Sequence, residues 1–134
     1  MISHIHSNVF IGDWQDAAQA SDYVRVTCAF DSPFKGDFVY HLVDGPCEDN
    51  EYEMELAVDK VLELMESDRK ILVHCVSGRS RSSAVVIGAL KRKLGLGLLE
   101  TIRLVDKQRP EIDPKWCLLR ILDEENDGDS SDSK

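Results

Sequence analysis

A chain of 134 residues with 25 acids, 16 Lys and Arg and a net charge of −9 is long enough for one domain with a sizeable core, and too acidic to hold nucleic acid by bulk electrostatics. No apolar run approaches the roughly 20 residues of a membrane helix, and the start, MISHIHSNVF, lacks the basic and apolar blocks of a secretory signal. The expectation is a cytoplasmic protein, a monomer by default, with neither nucleic acid nor membrane as partner. Cys28, Cys47, Cys75 and Cys117 form no CxxC pair and read as free thiols of a reducing compartment.

Asn8–Gly12 (NVFIG) opens as a strand, and Asp13 caps a short helix to Ala20. Tyr23–Phe30 (YVRVTCAF), rich in β-branched and aromatic residues, is a strand. DSPFKGD is a turn-rich link. Phe38–Val43 is a further strand that ends at Asp44, and GPCED is a loop. Asn50 and Glu53 make a capping box ahead of Met54, Ala57, Val58, Val61, Leu64 and Met65 at helical spacing. Ile71–His74 is a strand. Ser82–Leu94 is a helix apolar nearly all round, hence central, and its KRKLG end has the cations and glycine of a helix C-terminus. Leu98, Leu99, Ile102 and Val105 mark a helix that stops before Pro110. Asp113 and Pro114 supply a cap and first-turn proline to a last helix bearing Trp116, Leu118, Leu119, Ile121 and Leu122. Strands that alternate with helices imply an α/β fold, a short, largely parallel central sheet flanked by helices. It forms one domain over 1–122, and the acidic stretch 123–134 is expected to be disordered.

Charge is uneven along the chain. Residues 1–68 hold 15 acids and 3 bases, residues 69–109 hold 10 bases and 2 acids, and residues 110–134 hold 8 acids and 3 bases. The basic block suits an anionic ligand. Within it, ILVHCVSGRSRSS runs from strand to helix through a loop, Val76–Ser80, in which Gly78 is free to take a backbone shape other residues avoid. The first amides of a helix have no intrahelical acceptor, so such a turn gathers N–H groups into an anion nest. Arg81 adds a planar fork that matches two phosphate oxygens. A thiol placed there, Cys75, is stabilised as thiolate by the same groups and sits below the phosphate it can attack. Ser82 can donate a hydrogen bond to its sulfur and improve it as a leaving group.

HCVSGRSRS matches HCxxGxxR[S/T], the signature of cysteine-dependent protein tyrosine phosphatases. The short chain most resembles the compact dual-specificity phosphatases, over most of residues 5–122. NVFIGDWQDA is similar to their opening strand and helix, VDGPCED to their general-acid loop and QRPEIDP to their arginine-proline segment, although Pro114-Lys115 stands where they often have Pro-Asn. The resemblance implies hydrolysis of phosphotyrosine and of phosphoserine or phosphothreonine in proteins. Cys75 would be the nucleophile, Asp44 the general acid and Arg81 the phosphate clamp. Ser82 would assist the sulfur, and Val76, Ser77, Gly78, Arg79, Ser80 and Arg81 would cradle the phosphate. Neither metal nor cofactor is needed.

Several residues carry a second reading. His74 either tunes the thiolate or is structural. Arg79 contacts a further anionic group or is a solvated cation. His4 and His6 form HxH without a convincing third metal ligand. Cys47 is a partner for a protective disulfide, and Asp49 is the alternative acid. A phosphoinositide or RNA 5′-phosphate could fill the same cradle. A rhodanese-type sulfur carrier fits Arg81 and Ser82 poorly, and a non-catalytic phospho-binding module needs neither thiol nor acid.

Overall fold

The computed structural model describes residues 1–43 and 50–123. In chain order the elements are β1 (Ser3–His6), β2 (Val9–Gly12), α1 (Trp14–Gln19), β3 (Val24–Thr27), β4 (Phe38–Val39), α2 (Glu51–Met65), β5 (Ile71–His74), α3 (Arg81–Leu94) and α4 (Leu98–Gln108). A last helical segment, α5, covers 116–123. The sheet runs β1-β2-β5-β3-β4. Its four strands from β2 to β4 are parallel, and β1 is an antiparallel edge. The architecture is the expected α/β sheet flanked by helices.

β5 is central. All four of its residues are buried, and its uninterrupted apolar start is what a strand covered on both faces requires. On one face Val9, Ile11, Val26 and Val73 pack against α2, α3 and α4 through residues such as Met54, Val58, Val86, Leu90 and Val105. On the other, Leu72 meets Ala17 and Ala20, with Phe10, Tyr23 and Phe34 alongside. Register then sets the site. Gly12 of β2 and Thr27 of β3 both pair with His74, so three parallel strands end level with the residue before Cys75. Their C-terminal ends are where open α/β sheets bind ligands.

α1 carries the expected cap, in which Asp13 and Asp16 satisfy each other's backbone N–H. α3 is buried without a break from Arg81 to Lys91, and Gly95 closes it in the left-handed conformation with φ 66°. Four expectations need correction. β1 went unforeseen, because its SHIH is too short and polar to show a strand pattern. Asn50 does not cap α2 with its side chain. Its amide instead bonds both backbone groups of Val43, at 2.8 and 2.9 Å, while Glu53 accepts the N–H of His41. That pairing also explains why the strand expected over 38–43 shrinks to Phe38–Val39: beyond it, the edge of Val43 is satisfied by a side chain. Finally, α5 begins at 116, and the carbonyl of Lys115, not Asp113, receives the amides of its first turn at 3.0 and 3.2 Å.

Leu90 has no exposed surface, so Leu90→Ala should lower the unfolding free energy by about 2–5 kcal/mol. Urea unfolding followed by circular dichroism measures this, and a loss under about 1 kcal/mol would mean that the α3 core collapses around the cavity.

Candidate active site

The loop between β5 and α3 has its carbonyls claimed from outside. Trp14 N–H bonds the Val76 carbonyl at 3.2 Å and Asp113 N–H the Arg79 carbonyl at 2.7 Å. Ser83 Oγ donates to the carbonyls of Arg79 and Ser80, and Arg109 Nε donates to that of Gly78 at 2.9 Å. Gly78 has φ 72°, and a Cβ on it would lie 2.5 Å from the Gly12 carbonyl oxygen. Only glycine permits both that backbone shape and that approach. With the carbonyls turned outward, no amide from Val76 to Ser80 donates to a protein acceptor among the described residues. Amides without a protein acceptor are free to bind an anion.

Cys75 is 2% exposed, and its Sγ lies 3.2 Å from Ser82 Oγ. His74, fully buried behind it, holds Nδ1 3.1 Å from the Cys75 carbonyl and Nε2 2.7 Å from Thr27 Oγ1. A ring nitrogen facing a carbonyl must carry the proton, so Nε2 is the acceptor and the Thr27 hydroxyl donates to it. The hydroxyl in turn accepts the Gly36 N–H at 2.8 Å. Burial, and next the charges of Arg25 and Lys35, push the His74 pKa below its ordinary 6.5, against the opposing Cys75 carbonyl bond and Asp13. His74 is therefore a neutral strut beneath the thiol. Cys28 follows β3 as Cys75 follows β5, and its N–H continues the ladder to the His74 carbonyl at 2.8 Å. Burial, with Cys75 adding, drives the Cys28 thiol well above its usual pKa, Arg81 pulling the other way.

Arg81 is 5% exposed. Its Nη1 donates to Asp31 Oδ1 at 2.7 Å and to the Leu42 carbonyl at 3.1 Å. Cys75 Sγ and Ser82 Oγ thus meet across the loop, and Arg81 opens the helix that follows it. Asp44, Cys47 and Asp49 lie outside the described residues. Arg79 is exposed, and its Nε donates to the Glu111 carbonyl at 3.0 Å. His4 stacks on Phe10 and bonds the Ser7 carbonyl, and no group of three candidate metal ligands occurs among the described residues.

Three contributors are absent from the sequence reading. Arg109, 2% exposed, also bonds Met1 O, Ser3 Oγ and Ile11 O, and so ties the cradle to β1 and β2. A lone arginine just past a helix, in a family-like QRP, was the available signal. Thr27 and Asp31 gave none, because both reach the site only through the placement of β3 beside β5.

The family model "Dual specificity phosphatase, catalytic domain" matches residues 15–127, and the chain belongs to that family. It is a dual-specificity-type protein phosphatase. Dual specificity protein phosphatase 1B of Arabidopsis thaliana is 26% identical over 125 residues, 84% of this chain and 74% of that protein. The chain spans less than half the length of several other curated relatives. Among solved structures, human DUSP28 superposes with a TM-score of 0.81 over 92% of this chain and 90% of that one, at 22% identity, a likeness of fold. A mouse putative dual specificity phosphatase complexed with zinc tungstate gives a TM-score of 0.76 at 25% identity over 92% of this chain and 84% of that one. Among the described residues no helix is long and apolar enough to cross a membrane.

A histidine whose folded pKa lies below its unfolded value binds its proton more readily when unfolded, so His74 favours folding least in acid. Its contribution should be fully present above about pH 6.5 and be lost as pH falls from there toward the folded value. Melting temperatures from pH 8 to 5 should drop more steeply for the wild type than for His74→Asn. Parallel curves would show that His74 does not titrate in this window.

Proposed function

We propose that this domain hydrolyses phosphotyrosine and phosphoserine or phosphothreonine in protein substrates through a phosphocysteine. The observation that carries the reading is the Cys75 sulfur at 3.2 Å from Ser82 Oγ, at the base of a loop whose amides have no protein acceptor among the described residues. The Cys75 thiolate attacks phosphorus, the bond to the ester oxygen breaks, and Asp44 gives that oxygen its proton. Asp44, now a carboxylate, takes a proton from the water that next attacks phosphorus. Inorganic phosphate leaves, and Cys75 departs as a thiolate that Ser82 stabilises. The amides of Val76–Ser80, with Arg79 at the loop's exposed side, and the Arg81 fork hold the equatorial oxygens through both transition states. His74 acts from beneath.

Support for Asp44 comes from its neighbour two residues earlier. The Leu42 carbonyl touches the Arg81 guanidinium, and Asn50 pins Val43. The tungstate bound by the mouse relative is a tetrahedral oxyanion like phosphate, which favours an oxyanion ligand for this loop too. The catalytic unit is taken as residues 1–122, with 123–134 as an acidic appendage. It works as a monomer in the reducing cytoplasm, where a nucleophilic thiol survives, and needs neither cofactor nor nucleic acid.

A simple aryl phosphate tests the reading. Wild-type protein should hydrolyse it, and Cys75→Ser should abolish turnover while phosphate still binds. Turnover near wild type in Cys75→Ser would remove the thiol from the mechanism. Asp44→Asn should slow a poor leaving group such as phosphotyrosine by roughly 10²–10⁴-fold and flatten the basic limb of kcat/KM against pH. If Asp49→Asn flattens that limb instead, Asp49 is the acid.

A further inference from the structure

The Arg81 guanidinium is held from one side. Its nearly buried side chain, 6% exposed, meets the half-exposed Asp31 at 2.7 Å through one oxygen. The same nitrogen, Nη1, bonds the Leu42 carbonyl at 3.1 Å. Both Nη1 hydrogens therefore have acceptors, and two acceptors on one nitrogen fix the plane of the whole group. The Nε–Nη2 edge, the other side of the fork, is the pair spaced for two oxygens of a phosphoryl group.

Asp31 is itself held. Lys35 Nζ grips the carbonyls on either side of it, those of Phe30 at 2.9 Å and Ser32 at 2.6 Å. Phe30 N–H bonds the Leu42 carbonyl at 3.2 Å, the same oxygen that Arg81 reaches. One carbonyl thus joins the turn after β3, the segment leading to Asp44 and the start of α3.

We propose that Asp31 is a positioning residue for Arg81, aiming its Nε–Nη2 edge at the transferring phosphoryl group; the proposal rests on the phosphatase reading above. A guanidinium this buried would be costly without a counter-charge, and Asp31 supplies one before substrate arrives. Because it holds a single nitrogen, it need not leave when the phosphate binds. Asp31 is not a proton donor. The Arg81 hydrogen bond outweighs the opposing effect of burial and, with the charges of Arg81 and Lys35 adding to it, holds its carboxyl below the usual value, so it is ionised at neutral pH.

The test compares wild type, Asp31→Ala and Asp31→Asn on p-nitrophenyl phosphate across pH, with orthovanadate binding measured by titration calorimetry. Misplacing a catalytic group costs on the order of 10²-fold, and Asp31→Ala should lower kcat by about that much. KM should move by less than about threefold, as when an interaction matters mainly in the transition state. Asp31→Asn keeps an acceptor oxygen for Nη1 and should recover most of the loss. Both variants should keep the basic limb of the pH profile.

An unchanged kcat in Asp31→Ala overturns the proposal. So does an asparagine variant as poor as the alanine one with a flattened basic limb, which would make Asp31 an acid. If Asp31→Ala fails to fold, a cycle of Asp31→Ser, whose shorter side chain gives up the Nη1 contact, Arg81→Lys and the double variant decides: non-additive losses support positioning and additive ones overturn it. A wild type that leaves p-nitrophenyl phosphate intact sinks the phosphatase reading instead. Orthovanadate then decides for Asp31, with weakened binding in Asp31→Ala supporting its hold on Arg81 and unchanged binding overturning it.

Discussion

The pairing of the Val76, Gly78, Arg79 and Ser80 carbonyls is the constraint on which the rest depends. A loop presents its amides to an anion only if its carbonyls find donors elsewhere, since unpaired buried backbone groups are costly. Here three donors come from distant chain, Trp14 opening α1, Arg109 ending α4 and Asp113 before α5, and Ser83 in the first turn of α3 supplies a local one. The surrounding elements must therefore be in place before the nest exists. Gly78 is the point where Arg109 and the end of β2 close on the loop at once, and its positive φ is the backbone shape that this turn of the loop takes.

Charge works differently from its distribution along the sequence. Several cations of the basic block over 69–109 are paired with acids from the first half of the chain. Arg92 pairs with Asp59 and Lys93 with Glu66, both across α2 and α3, and Lys70 pairs with Asp22. Exposed pairs of this kind contribute little, roughly 0–1 kcal/mol each, but they return the cations to the acidic half of the chain. Arg109 is buried in structural work. What remains beside the thiol is Arg81, with Arg79 at the rim. The cradle's field therefore comes from a few oriented groups at short range, which fits a small anion better than a polyanion.

Legibility followed the distance along the chain. HCVSGRSRS was readable because Cys75, the loop amides, Arg81 and Ser82 lie within nine consecutive residues, and strand–loop–helix is a local pattern. The order of helices was readable from periodicity. Strand order was not, and it decides the second layer of the site. Because β5 lies between β2 and β3, Gly12, Thr27, Cys28 and Asp31 come to the thiol from segments 44 or more residues away in sequence. DSPFKGD read as a mere link for that reason. Asn50 misled in another way: it has the composition of a cap, but the half-buried Val43, with both backbone groups open, offered its amide two bonds where the helix offered one.

Lys115 shows why a departure from the family's pattern leaves the cradle standing. Where relatives often have asparagine, a lysine cannot reproduce an amide's mixed donor and acceptor set. The contact seen does not use the side chain. The Lys115 backbone N–H reaches Ser80 Oγ at 3.2 Å, just as the Asp113 N–H reaches the Arg79 carbonyl. Pro114 between them restricts the turn that sets both amides. A support built from main chain depends on the path of residues 111–115, and that path is held by the Ile112 N–H bond to the Arg109 carbonyl at 3.1 Å. The same arginine that fixes Gly78 from behind thus also sets the course of the segment that fixes Arg79 and Ser80, so the back of the cradle is governed from a single buried residue.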